Sequence, residues 1–327
     1  MLRRLAVLAL LMVTIAAAGC APPDPATKLT VGLGYIPSVQ FAQFYRAQQR
    51  GYYRDAGLDV TFKNEIDPNL ITLVGQGAVD IGIADGTSVI PARGQGIPIR
   101  YVATVYAEFP SVVIATQESG IATPADLRGR TLGIPGRYGS SWIMLQALLA
   151  SAGLSAADLD IREYPDFGQA TALRQGQVDS ATGFRNNEPV QLRLAGVATN
   201  VLGIDQITPL PGPGLIAGEA TLAAKPDAVR AFVAATLRAM QEITNEGVGF
   251  DDAVAVVPEL AADQDTQLEI LEATIDMWNS EYTLKNGLGS IDADAWTASL
   301  EFMRGLPDSN IPADLAVGDL INQESSQ

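Results

Sequence analysis

The spacing of apolar positions changes character along this chain. KLTVGLGY (28–35) is a short apolar run that predicts a buried strand. PSVQFAQFYRAQQRGYYRDAG (37–57) predicts a helix carrying Val39, Phe41, Ala42, Tyr45 and Ala47, with Gly51 and Gly57 ending it and the turn beyond. LDVTFK (58–63) alternates as a half-buried strand does. The grammar then repeats: a helix over 69–74, a strand in VDIGIAD (79–85), a helix through Val89 and Ile90, and a strand in IRYVATVY (99–106). Such alternation predicts an α/β fold with parallel sheet covered on both faces.

A second pass follows, with strands in SVVIATQ (111–117), TLGIPG (131–136) and LDIREY (159–164). Its helix lies in SSWIMLQALLASAGL (140–154), and GQATALRQGQVDSATGF (168–184) is a helix leading into a strand. Leu73–Asp80 (LVGQGAVD) and Leu173–Asp179 (LRQGQVD) both set a helix-ending glycine before Val-Asp and a new strand. AGL at 56–58 and again at 152–154 repeats at a similar spacing of about 100 residues, which predicts two similar α/β lobes in series. ITPLPGPGLIA (207–217) reads as a strand crossing between them. The last third turns helical. One stripe joins Val229, Phe232, Val233, Thr236, Leu237, Met240 and Ile243 behind Pro226. A second joins Leu268, Leu271, Ile275 and Trp278, and Asp292 caps a helix carrying Trp296, Leu300 and Met303.

The first 20 residues form a separate signal. Arg3 and Arg4 precede an apolar run from Leu5 to Ala18, shorter than the roughly 20 residues of a membrane span. This predicts a secretory leader over 1–20, followed by a Pro-rich linker over 21–27. Cys20 is the sole cysteine, so no intrachain disulfide forms. The net charge of −16 disfavours nucleic acid and anionic lipid headgroups as partners. The chain has no histidine, which excludes Ser-His-Asp and Cys-His catalysis and His-ligated zinc. It also lacks a Walker-type phosphate loop and a dinucleotide fingerprint, and the expectation is a protein without catalytic residues, metal or cofactor.

In open α/β sheets, ligands sit beyond the carboxyl ends of the strands. That rule nominates Tyr35, Ile36, Pro37 and Gln40, then Asp85, Gly86 and Thr87, then Tyr106 and Phe109. From the second pass it nominates the stretch 136–141, with Arg137, Tyr138, Ser140 and Ser141, and the stretch 184–188, with Phe184, Asn187 and Glu188. Tyr35, Tyr106, Tyr138 and Phe184 can stack on a flat ring, while Gln40, Asp85, Asn187 and Glu188 can meet its amide or amine edges. Seven aromatic residues crowd between Tyr35 and Phe62, although only 6% of the chain is aromatic. Phe44, Tyr45, Tyr52 and Tyr53 are expected to serve the core and Tyr35 the site.

The phrases GYIPSVQFAQFYRAQQRGYYRDAGLDV, LVGQGAVDIGIADGTSVIPARGQGIPI, TPADLRGRTLGIPG, LRQGQVDSATGFRNNEPVQLRLAG and KPDAVRAFVAATLRAM, in that order, resemble the extracytoplasmic substrate-binding lipoproteins of ABC importers. The resemblance is narrower to the branch that includes thiamine-pyrimidine, riboflavin, nitrate, sulfonate and taurine binders. It implies a type II periplasmic-binding fold: two Rossmann-like lobes on a hinge, placed at 28–110 with 205–327 and at 111–204, closing over a ligand that an ABC permease then receives. Ala17-Ala18-Gly19-Cys20 resembles a lipobox, with Ala at a position where Leu is commoner, and implies a lipid on Cys20 that tethers the exported protein to the outer face of the cytoplasmic membrane. GYIPSVQFAQFY and NNEPVQL look most like riboflavin-binding members, so riboflavin is the expected small-molecule ligand. A thiamine-pyrimidine precursor comes next. A sulfonate or nitrate-type anion would require Arg137 and the helix start at 139–141 to dominate the site. The branch also holds pyrimidine-forming enzymes that rely on a histidine and a cysteine-rich motif, and this sequence has neither.

Overall fold

The computed structural model describes residues 26–64, 69–204, 207, 210–306 and 309–325. The leader, Cys20 and the linker up to residue 25 lie outside the described residues. No helix among the described residues is long and apolar enough to cross a membrane.

The strands are β1 (Thr27–Gly32), β2 (Leu58–Lys63), β3 (Ile81–Asp85), β4 (Ile99–Thr104), β5 (Ser111–Thr116), β6 (Thr131–Ile134), β7 (Asp160–Glu163), β8 (Ser180–Phe184), β9 (Thr199–Leu202) and β10 (Pro213–Gly218). They form two sheets, ordered β2-β1-β3-β10-β4 and β7-β6-β8-β5-β9. In the first, β1 runs parallel to β2 and β3, and β10 lies antiparallel between β3 and β4. In the second, β6 runs parallel to β7 and β8, and β5 lies antiparallel between β8 and β9. Periodicity alone predicts purely parallel sheets. The antiparallel strand in each is the one the chain makes on arriving from the other sheet, entering the fourth place head to tail.

Both halves keep one local device. Asp80 Oδ2 accepts the Thr30 N–H at 2.8 Å, and Asp179 Oδ2 accepts the Thr131 N–H at 2.8 Å. The pairings Val31–Ile81 and Leu132–Ser180 follow at once in register. The repeated Val-Asp therefore anchors the parallel neighbour in each sheet, with Val79 and Val178 buried beside it.

The helices that concern the site and its support are α1 (Ala42–Gln49), α2 (Leu70–Gly75), α3 (Gly86–Gly94), α4 (Gly139–Ser151), α5 (Gln169–Arg174), α6 (Glu188–Leu194), α7 (Pro226–Glu246), α8 (Phe250–Val256), α9 (Gln264–Met277) and α10 (Ala293–Arg304). Pro226 opens α7, and Gly247 at φ 63° closes it. Its expected stripe is buried, with Leu237 at the margin. Asp292 caps α10 by accepting the N–H groups of Asp294 and Ala295. In α9 the buried face holds Ile270, Leu271, Thr274 and Met277, whereas Leu268 is 40% exposed. Of the expected stripe, Leu271 and Trp278 are buried and Ile275 packs against the core, so Leu268 alone falls outside it. Thr274 joins the buried face although polar, because its hydroxyl donates to the Ile270 carbonyl at 2.7 Å.

Most of the aromatic cluster belongs to the first core. Phe44 and Tyr53 stack on Phe232 of α7 with near-parallel rings, at centroid distances of 6.3 and 4.9 Å. Tyr45 is fully buried, while Tyr52 lies nearer the surface, donating to Glu242 at 2.5 Å under the Arg238 guanidinium. Arg46 sits behind them, joining α1 to Asp252 of α8 at 2.7 Å and to Glu242 of α7 at 2.9 Å. These contacts hold the segment from Tyr35 to Gln43 against the end of the first sheet.

Candidate ligand-binding site

A cavity of about 260 Å³ lies where the carboxyl ends of the two sheets face each other. From the first half its wall takes Tyr35 after β1, Gln40, Phe41 and Gln43 at the start of α1, Leu70 and Ile71 of α2, Asp85 at the end of β3, Ser88 of α3, and Tyr106 after β4. From the second it takes Pro135, Tyr138, Ser140 and Ser141 after β6, Phe167 and Gln169 after β7, and Gly183, Phe184, Asn187 and Glu188 around the end of β8. The strand-end rule accounts for this convergence, since the segments that leave β1, β3, β4, β6, β7 and β8 all reach the same gap.

Of the residues nominated from the sequence, Tyr35, Gln40, Asp85, Tyr106, Tyr138, Ser140, Ser141, Phe184, Asn187 and Glu188 line this one cavity. Pro37, Thr87 and Arg137 do not join them. Pro37 is exposed on the turn leading to α1, away from the wall. Thr87 points into the protein from the first turn of α3, fully buried and off the cavity. Arg137 turns outward, its side chain 49% exposed, where it pairs with Glu163 and lies over the Trp142 ring. Its charge is satisfied at the surface, so it leaves the wall to Tyr138, whose ring covers Gly136. Of the neighbours first considered, Ile36 is exposed and Phe109 is buried in the core of the second half.

Phe167 is a member that sequence periodicity misses. Its ring meets that of Tyr35 edge-on, centroids 4.9 Å apart, linking the two halves across the cavity. Its backbone lies in the left-handed region at φ 60°, which is strained for a bulky side chain and gathers at functional sites. Two residues on, Gln169 Nε2 donates to the Thr182 carbonyl at 3.1 Å, leaving its buried Oε1 without a protein partner.

Two carboxyl groups set the electrostatics. Glu188 is buried in the first turn of α6, where its Oε2 accepts the Phe184 N–H at 2.7 Å. Desolvation pushes its pKa up to about 7 against that hydrogen bond. Gly183 allows the approach, because a Cβ there would stand 2.8 Å from Glu188 Oε2. Asp85 occupies the N-cap of α3, and burial raises its pKa to about 6, opposed by the Ser140 hydroxyl from the other half. Burial and the Glu188 charge raise the Tyr35 phenol, opposed by a hydrogen bond with Asn187, so Tyr35 stays protonated. No lysine or arginine lines the cavity among the described residues.

Beside the cavity, buried Asn186 ties the halves together. Its Nδ2 stands 2.8 Å from Thr274 Oγ1, 3.0 Å from Gln40 Oε1 and 3.3 Å from the Tyr106 hydroxyl. Val190 of α6 joins the same contact, buried in the core of the first half. The sequence gives no sign that Asn186, rather than its neighbour Asn187, makes this bond. Among the described residues, no group of acidic residues is arranged to hold a metal ion.

The NMT1/THI5-like family matches residues 38–247 of this chain. The chain is 37% identical over 313 residues to the riboflavin-binding protein RibY of Chloroflexus aurantiacus, covering 92% of this chain and 89% of that one. It is 26% identical over 246 residues to a 4-amino-5-hydroxymethyl-2-methylpyrimidine phosphate synthase of Aspergillus parasiticus, covering 71% of each. Among solved structures, the alkanesulfonate-binding protein SsuA of Xanthomonas axonopodis pv. citri, bound to MOPS, superposes with a TM-score of 0.69 at 18% identity. That likeness covers 93% of this chain and all of SsuA, and carries the fold alone.

Proposed function

Since this chain belongs to the NMT1/THI5-like family and has the fold of periplasmic solute-binding proteins, we propose that it captures a flat heteroaromatic vitamin, most specifically riboflavin, and delivers it to an ABC permease. The observation that carries this reading is the cavity between the two sheets, walled by Tyr35, Phe41, Tyr106, Tyr138, Phe167 and Phe184 and edged by hydrogen-bonding groups. Planar aromatic walls grip a ring by stacking, and the polar edges select its orientation. A ligand touching both halves stabilises the closed arrangement only, which is the form a permease can distinguish. The two bodies that close are residues 28–110 with 205–327, and residues 111–204.

The similarity to a riboflavin-binding protein supports this ligand. The similarity to pyrimidine phosphate synthases favours, as second reading, a thiamine-pyrimidine precursor in the same cavity. Binding without turnover fits a chain that has no histidine and a single cysteine, at position 20. An anion such as a sulfonate is disfavoured because Arg137 is engaged with Glu163 outside the cavity. The leader and the lipobox-like AAGC around Cys20 support export and a lipid anchor on the outer face of the cytoplasmic membrane.

The test is titration of the purified protein lacking residues 1–20 with riboflavin, followed by flavin fluorescence and by mass spectrometry of what is retained. Quenched flavin at 1:1 stoichiometry supports the reading. Retention of a pyrimidine in place of the flavin shifts it to the second.

A further inference from the structure

We propose that Asp85 and Glu188 make this cavity reject the phosphate ester of its own ligand, so that the protein takes up only the unphosphorylated heterocycle. The inference rests on the vitamin-binding reading and adds a selection rule to it.

A phosphate monoester carries about −1.5 to −2 charges at neutral pH and presents acceptor oxygens. Phosphate sites answer such a group with arginine or lysine, or with a free helix N-terminus. Here no cationic side chain lines the wall among the described residues, and Arg137, next to Tyr138 in sequence, is paired with Glu163 at 3.3 Å on the outside. Several helices start at the cavity, α3 and α4 among them. A carboxyl of this chain stands beside both starts: Asp85 occupies the N-cap position of α3 without a side-chain bond to its N–H groups, and the Ser140 hydroxyl in the first turn of α4 bonds to it. A phosphate approaching either start meets that carboxyl. Glu188 places a second carboxyl on the facing wall, fixed by the Phe184 N–H at 2.7 Å.

The hydrogen-bonding inventory points the same way. Asp85 Oδ1 and Gln169 Oε1 are buried acceptors without a protein partner. The Gln169 amide is oriented by the Thr182 carbonyl, so its free atom is the oxygen. Unmet acceptors call for N–H or O–H groups, such as a flavin imide, a sugar-alcohol chain or an aminopyrimidine. A phosphate would add acceptors to acceptors, beside two carboxyls.

Two matched ligand pairs test this: riboflavin with flavin mononucleotide, and 4-amino-5-hydroxymethyl-2-methylpyrimidine with its phosphate. Affinities are measured by calorimetry at pH 7.5 for the wild type and for Asp85→Asn/Glu188→Gln. We expect the phosphorylated member to bind at least 100-fold more weakly to the wild type, and this gap to narrow at least tenfold in the double variant. A general folding defect would weaken both members together and leave their ratio unchanged, so the ratio isolates the charge effect. Wild-type affinities within threefold of each other would overturn the proposal while leaving vitamin binding intact, and would place the phosphate in solvent at the mouth. A wild-type gap that persists in the variant would remove the two carboxyls as its cause. Failure of a cooperatively melting wild type to bind either pair would end the vitamin reading and this proposal with it.

Discussion

Replacing Asn186 by alanine tests whether ligand affinity is set partly by a contact between the halves rather than by the cavity wall. Asn186 follows β8 of the second sheet, whereas Gln40, Tyr106 and Thr274 belong to segments packed on the first. Its amide has two hydrogens for three acceptors at 2.8, 3.0 and 3.3 Å, so the geometry amounts to two full hydrogen bonds, one of them shared. Buried bonds of this kind contribute about 0.5–1.5 kcal/mol each, which gives about 2 kcal/mol for the clasp. The alanine variant forfeits this only when the halves are together. Its ligand affinity should therefore fall by roughly 10- to 30-fold, mainly through faster dissociation. Because the chain has no cysteine after Cys20, two cysteines introduced at exposed Asp160 and Asp227 accept a fluorophore pair cleanly once the first 20 residues are absent. Single-molecule transfer efficiency then reports the separation of the halves, and stopped flow reports dissociation. A variant with lower melting temperature but unchanged affinity and dye separation would show that Asn186 supports local stability only and has no part in setting affinity.

Three further outcomes follow from the same geometry. Glu188 keeps its proton to about pH 7 in the folded protein, whereas an unfolded carboxyl loses it near pH 4.3; the stability from this group is therefore full at low pH and lost as pH rises through 7. Glu188→Gln should accordingly gain on the wild type between pH 5 and pH 8, by on the order of 3 kcal/mol in urea unfolding, and a constant difference over that range would contradict it. Phe167→Ala removes the edge contact with Tyr35 and should weaken ligand binding about tenfold, in line with roughly 0.5–1.5 kcal/mol for an aromatic pair, as read by fluorescence titration. Arg137→Ala breaks an exposed ion pair and a ring contact outside the cavity, so affinity should change less than twofold and stability by under about 1 kcal/mol; a tenfold loss would return Arg137 to the site.

What the sequence discloses and what it hides divide along physical lines. The repeated Val-Asp was visible because each copy performs the same backbone anchoring, and the strand-end turns were visible because α/β topology dictates where they gather. Direction was harder. Thr87 and Arg137 lie one or two residues from true wall members, yet helix rotation buries one and an external carboxylate draws out the other. Phe167 and Asn186 stayed hidden because their importance lies in partners far along the chain, Tyr35 for one and Thr274 for the other. A left-handed backbone at a phenylalanine leaves no trace in composition or period. The same holds for α9, where a threonine satisfied by its own helix joins the buried face although polar.

The interleaved strand order also bears on how the molecule is assembled during synthesis. The second sheet draws all its strands from one unbroken stretch, residues 111–202, and can be completed as soon as that stretch is available. The first cannot, because its fourth place, between β3 and β4, waits for β10 at residues 213–218. Until then β3 and β4 each present unpaired backbone groups to a common vacant slot, an edge that invites association with other chains. The half that the ribosome makes first is thus the half that finishes last, and a chain ending near residue 204 would carry a closed second sheet beside an open first one.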